Sequence, residues 1–125
     1  MTDNEKAATF IGWKFCDGKP IWQNNPTLRF KCSKCERTEP DAIDLHRPAP
    51  NMSKPENYMR ALQAVFEAGW CPCIEGDHHH GGSTWKVFFG HALRDATESV
   101  LDLNISEGVR RALAALYDAE HKENA

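Results

Sequence analysis

Residues 53–89, SKPENYMRALQAVFEAGWCPCIEGDHHHGGSTWKVFF, hold the pattern on which the fold turns. Ser53, Lys54, Pro55 and Glu56 match a capping box, with Ser at the N-cap, an acid three residues on, and a proline tolerated in the first turn. Tyr58, Ala61, Leu62, Val65 and Phe66 then follow the i, i+3, i+4, i+7 spacing of an amphipathic helix, while Glu56, Arg60, Gln63 and Glu67 take its other faces. Gly69 is the natural stop. Past it the period changes. Residues 70–75 read as a short strand and residues 84–89 (TWKVFF) as a stronger one, rich in aromatic and β-branched side chains. The polar, glycine-rich stretch 76–83 between them predicts a loop longer than a usual hairpin turn.

Working outward, residues 3–10 suit a short helix, followed by apolar bulk at Phe10, Ile11, Trp13 and Phe15 with a turn at Gly12 or the start of a strand. Six of the seven prolines lie within residues 17–55, which excludes long helices there. In that stretch Ile21 and Trp22 oppose Leu28, Arg29 and Phe30 across Asn24, Asn25 and Pro26, the composition of a small hairpin. Residues 99–103 alternate as a strand does, and Ser106 with Glu107 opens a last helix. That helix carries Val109, Ala112, Leu113, Leu116 and Tyr117 on one face, directed at the core, with a helix-mediated homodimer as its alternative use. Residues 122–125 form a frayed tail. The expected architecture is a single α/β domain over residues 1–125: a small, mainly antiparallel sheet sandwiched by helices, with residues 17–55 as an irregular Pro-rich, zinc-knuckle-like insertion.

Composition removes several classes. Leu, Ile, Val and Phe number 23 of 125, but a net charge of -3 is too small for disorder to follow, and 14 alanines with four tryptophans supply the missing bulk. No apolar stretch approaches the ~20 residues of a membrane span. Met1 to Ala8 lacks an apolar h-region, so no secretory signal is expected and the cysteines are placed in a reducing, cytoplasmic setting. Five cysteines are also an odd number for a disulfide framework.

Cys32 and Cys35 form C-x2-C just after a strand, a turn that aims two thiolates at one tetrahedral zinc. The best partners by sequence are Cys71 and Cys73, whose period-two spacing puts both side chains on one face of a strand, although i and i+2 are wide for a tetrahedral chelate. Zinc held by Cys32, Cys35, Cys71 and Cys73 would clip the long irregular stretch to the core sheet. His78, His79 and His80 could replace one thiol, but consecutive histidines point in different directions and read mainly as a solvated loop. Arg29, Lys31, Lys34 and Arg37 surround the knuckle; beside Trp22 and Phe30 they are a candidate nucleic-acid patch, or else they offset the charge of a zinc-thiolate cluster. Cys16 and His46 can be paired on paper as nucleophile and base, as can any cysteine and histidine in so short a chain, so they carry no catalytic argument. No P-loop, dinucleotide fingerprint or nucleophile elbow is present.

Three segments in order, AATFIGWKF, NYMRALQAVFEAGW and TWKVFF with the later ISEGVRRALAALYDA, resemble the phage ABA sandwich family of small phage and prophage proteins. Gly12, Trp13 and Lys14 match its GWK box, residues 58–68 its central helix and residues 109–116 its last helix. The resemblance covers about half of the chain and implies helices packed on an antiparallel sheet and a phage origin, with no family activity to carry over. The expected function is a non-catalytic phage or prophage accessory protein with a structural zinc. It would bind a host protein in the host cytoplasm, in the manner of a counter-defence factor. A zinc-knuckle nucleic-acid binder using Arg29, Lys31, Lys34 and Arg37 is the alternative.

Overall fold

A computed structural model describes residues 1–123. In chain order the elements are α1 (Asp3–Ala8), a 3-10 turn (Thr9–Ile11), β1 (Pro20–Trp22), β2 (Phe30–Cys32), β3 (Thr38–Glu39), a second 3-10 turn (Ala42–Asp44), α2 (Pro55–Glu67), β4 (Trp70–His79), β5 (Gly82–His91), β6 (Val100–Asp102) and α3 (Ile105–Glu123). They fall into two compact units, residues 1–13 with 49–125, and residues 14–48. The second unit corresponds to the insertion expected at 17–55, but starts three residues earlier and ends before α2. The protein is mixed α/β with two three-stranded antiparallel sheets, β1-β2-β3 and β4-β5-β6.

In the larger unit the core follows from strand alternation. Register pairs Trp70 with His91, Pro72 with Phe89 and Ile74 with Val87, and β6 adds Val100 beside Val87. These residues share one face of the sheet. Val87 and Phe89 are fully buried there in a single cluster with Ala61, Leu62 and Val65 of α2, Val109, Ala112, Leu113 and Leu116 of α3, and Ala7 and Ala8 of α1. The helical stripes expected at 58–66 and 109–116 are thus core faces except at Phe66, which is 65% exposed and outside the core cluster. The helices described here gather on that one face of the sheet. A large aromatic at the centre of so thin a core is costly to remove: Phe89→Ala is expected to lower stability by about 3–5 kcal/mol, read from urea unfolding of the full chain.

Helix starts differ from the sequence reading. Lys54, not Ser53, is the N-cap of α2, and it makes no side-chain cap. The Ser53 hydroxyl donates instead to the Glu107 carboxylate of α3, which also accepts from Arg110. A tertiary partner has replaced the local one. The true capping box is at α1, where Thr2 Oγ1 accepts from Glu5 N–H at 3.1 Å and Thr2 N–H donates to the Glu5 carboxylate at 2.8 Å. Asn104 holds the start of α3, its Oδ1 accepting from Glu107 N–H at 3.2 Å. At the other end α3 continues through Glu123, while Asn124 and Ala125 of the expected frayed tail lie outside the described residues.

The expected loop 76–83 is mostly ladder. β4 runs to His79 and β5 starts at Gly82, leaving His80 and Gly81 as the turn. Cross-strand side chains extend the pairing, His78 Nδ1 with Ser83 Oγ at 3.1 Å and His79 Nε2 with Thr84 Oγ1 at 2.8 Å. Gly82 supplies φ +120°, which a β-branched residue would resist. No helix among the described residues is long and apolar enough to cross a membrane.

Candidate metal centre

Within residues 14–48 almost nothing is buried. Of the described side chains in this unit, Cys32 and Leu45 are. The three short strands are set by the hairpin read from sequence, with Trp22 opposite Phe30 and Pro20 opposite Cys32. Trp22 packs edge-on to Phe30 with ring centroids 5.5 Å apart. Cys32 therefore ends β2, where the chain turns back through residues 33–35. Glu36 takes φ +62°, the left-handed step that reverses the chain towards β3, and Cys32 N–H closes the turn on the Arg37 carbonyl at 2.9 Å.

Four ligand atoms meet at this turn. The sulfurs of Cys16, Cys32 and Cys35 and a ring nitrogen of His46 all lie within 4.8 Å of one another. Cys16 Sγ is 3.6 Å from Cys32 Sγ, and His46 Nε2 is 3.0 Å from Cys32 Sγ and 3.9 Å from Cys35 Sγ. The chain presents the sulfurs in two similar bends. Lys34 N–H points at Cys32 Sγ and Gly18 N–H at Cys16 Sγ, each at 3.4 Å. The bends are joined reciprocally, Lys19 N–H to Ser33 Oγ and Ser33 N–H to the Lys19 carbonyl, both at 3.0 Å. Lys34 Nζ adds an ion pair to Asp17 at 2.7 Å. His46 arrives by way of the second 3-10 turn, next to the buried Leu45.

The electrostatics prepare one sulfur more than another. Cys35 N–H first, then Lys34 N–H, with His46 adding, draw the Cys32 thiol down to about 6, despite its burial. The shift favours the Cys32 thiolate, the form that binds metals. At Cys16 the Gly18 N–H pulls downward, but burial and the neighbouring Cys32 and Cys35 groups outweigh it, and the thiol is pushed up. This donor set could bind a metal ion.

Of the four cysteines expected to share one metal, the structure joins Cys32 and Cys35 with Cys16 and His46. Cys71 and Cys73 belong to the other unit, on β4, and are not part of this group. The imidazoles of His78 and His79 are engaged with Ser83 and Thr84. A second C-x2-C would have been easy to read, but Lys19 stands where its second cysteine would fall. The fourth donor comes instead from His46, far downstream. Arg29, Lys31, Lys34 and Arg37 each have a carboxylate within 4.0 Å: Asp41, Glu36, Asp17 and Glu39 respectively.

The fold and this site define a small α/β protein with a Cys3His cluster able to hold a metal. Comparison of the chain with family models, curated proteins and solved structures finds no match.

Proposed function

We propose that the chain is a non-catalytic binding protein in which zinc folds residues 14–48 into a surface for a protein partner. The observation that carries this reading is the convergence of four metal donors inside a unit that buries so little else. Segments below about 40 residues usually need a metal, disulfides or a partner to hold a fold, and all five cysteines here are free. Three thiolates and an imidazole are a ligand set of structural zinc, four-coordinate and closed. A zinc tetrahedron asks for S···S of about 3.8 Å and S···N of about 3.6 Å from its bond lengths. The observed 3.6, 3.0 and 3.9 Å scatter around those values. With four protein donors no coordination position remains for a reacting water, which favours a structural role over a catalytic one.

The surface of the same unit supports a protein partner. Trp22 is 64% exposed and Ile43 83% exposed, with Phe15 and Ile21 about half exposed. Exposed aromatics of this kind serve as anchors in protein interfaces. The four basic residues around the knuckle spend charge on neighbouring carboxylates, which weakens the case for a phosphate backbone. A host protein is the partner expected from small size, the absence of catalytic motifs and the phage origin that the family resemblance implies. Of the residues carrying that resemblance, Gly12, Trp13, 58–68 and 109–116 belong to the other unit, where Trp13 packs on the core formed with Val65, Val109 and Leu113, while Lys14 is the first residue of this one.

The test is a pull-down with zinc-loaded chain after nuclease treatment of the lysate, repeated with chelated bait and with Trp22→Ala. A protein is expected to be retained by the wild type and lost on chelation. Trp22→Ala is expected to weaken its binding by about 2 kcal/mol, as truncation of an interface anchor does. Retention of nucleic acid in place of protein, falling steeply with salt and with charge reversal at Arg29, Lys31, Lys34 and Arg37, would overturn the reading. So would a partner held equally well by the chelated bait.

A further inference from the structure

The outer face of the β4–β5 hairpin carries two thiols that the Cys3His centre does not use. Strand alternation places Cys71 and Cys73 together on the side of the sheet opposite Val87 and Phe89. Cys71 is exposed and Cys73 half-buried. Their cross-strand neighbours are Gly90 and Phe88. At Gly90 a Cβ would meet nothing within 4 Å, so the space beside Cys71 is open. The thiols make weak contacts to local carbonyls, Cys73 Sγ to the Cys71 oxygen at 3.6 Å and Cys71 Sγ to the Pro72 oxygen at 4.0 Å, which leave the sulfur lone pairs available. Lys86 lies on this face as well, its ammonium 5.6 Å from the Phe88 ring centre.

We propose that Cys71 and Cys73 form a second metal site, a two-thiolate clamp for a soft monovalent cation of the Cu(I) class. Residues i and i+2 of a strand have Cα atoms about 6.7 Å apart, and Pro72 between them fixes its φ near -65° and stiffens the step. A tetrahedral ion needs its sulfurs about 3.8 Å apart, whereas two collinear metal–sulfur bonds span about 4.6 Å at zinc–thiolate lengths. The wide, stiff spacing therefore suits linear coordination better than tetrahedral. Thiolates are also the donors that select Cu(I) over harder ions. Binding converts two S–H groups and one Cu(I) into a bis-thiolate complex of charge -1, releasing two protons to water with no electron transferred. On the same face the Lys86 ammonium stands opposite the Glu75 carboxylate, so the complex keeps its own charge of -1.

The test is anaerobic titration of the zinc-loaded chain with Cu(I) against a competing Cu(I) chelator, followed by native mass spectrometry. Wild type, Cys71→Ser and Cys71→Ser/Cys73→Ser are compared, with thermal melts to establish that the variants keep the fold. The wild type is expected to retain one more Cu(I) than the double variant, and the single variant to lose that ion to the chelator. This difference holds whatever fills the Cys3His centre, so the proposal stands apart from the zinc reading. Equal copper retention in folded wild type and folded double variant would overturn it. A single variant that keeps the ion as tightly as the wild type would do the same.

Discussion

Chelation of the zinc-loaded protein is expected to unfold residues 14–48 while the core of the other unit persists. In an amide correlation spectrum the resonances of β1, β2 and β3 should collapse to random-coil positions, with those of α2, β5 and α3 remaining dispersed. The asymmetry follows from where apolar area is buried. Phe89, Val87, Leu113, Leu116 and their neighbours hold the larger unit without a metal, whereas the smaller one buries Cys32 and Leu45. Structural zinc sites in small domains contribute roughly 10–16 kcal/mol of binding energy that appears as folding energy. The Lys34–Asp17 pair does not approach that scale: it is exposed at both ends, and such pairs contribute about 0–1 kcal/mol. Cys32→Ser should reproduce the chelated spectrum even in excess zinc, because it removes the sulfur that both bends and the imidazole surround. Persistence of dispersed β1 and β2 resonances after verified zinc removal would sink the account.

Gly18→Ala is expected to damage the centre almost as much, without touching a ligand. A Cβ at position 18 would lie 2.3 Å from Cys32 Sγ and 3.2 Å from both the Lys34 nitrogen and Lys34 Cβ. The first distance is well inside any contact real atoms make, and the Lys34 and Cys35 N–H groups hold the sulfur in place, as a bound metal would further. Either the sulfur leaves the donor cluster or the Cys16 bend moves away and takes its own sulfur along. Disturbed supporting contacts of this kind cost about 10- to 100-fold in metal affinity, measured by competition with a chromophoric zinc chelator. Gly90→Ala is the control, since its Cβ meets nothing within 4 Å. Zinc affinity unchanged in Gly18→Ala would show that the two bends do not pack as described.

The site was half legible for a definite reason. Cys32 and Cys35 are three residues apart, and a turn of that length brings two sulfurs together wherever it occurs, so sequence suffices to see it. Cys16 and His46 come from either side of the turn and are brought in by the β1–β2 pairing and the 3-10 turn before Leu45. Gly18 was the available sign: a residue without a side chain, two positions after a cysteine, marks a close backbone approach, here to Cys32 Sγ. Cys71 and Cys73 share a strand face as their spacing requires, but that face lies opposite the core, in a different unit from the knuckle.

By itself the sequence determined the α2 and α3 stripes, the Gly69 stop, the β1–β2 hairpin, the β4 and β5 strands and the Cys32–Cys35 knuckle. All of these rest on periodicity, turn chemistry or short spacing, which act within a few residues. Tertiary structure alone decided that Ser53 bonds Glu107 instead of capping α2, that the hairpin ladder extends to His79, and that Cys16 and His46 complete the donor set. In each of these cases local chemistry permits more than one partner, and the choice falls to whichever group the folded chain brings within bonding distance.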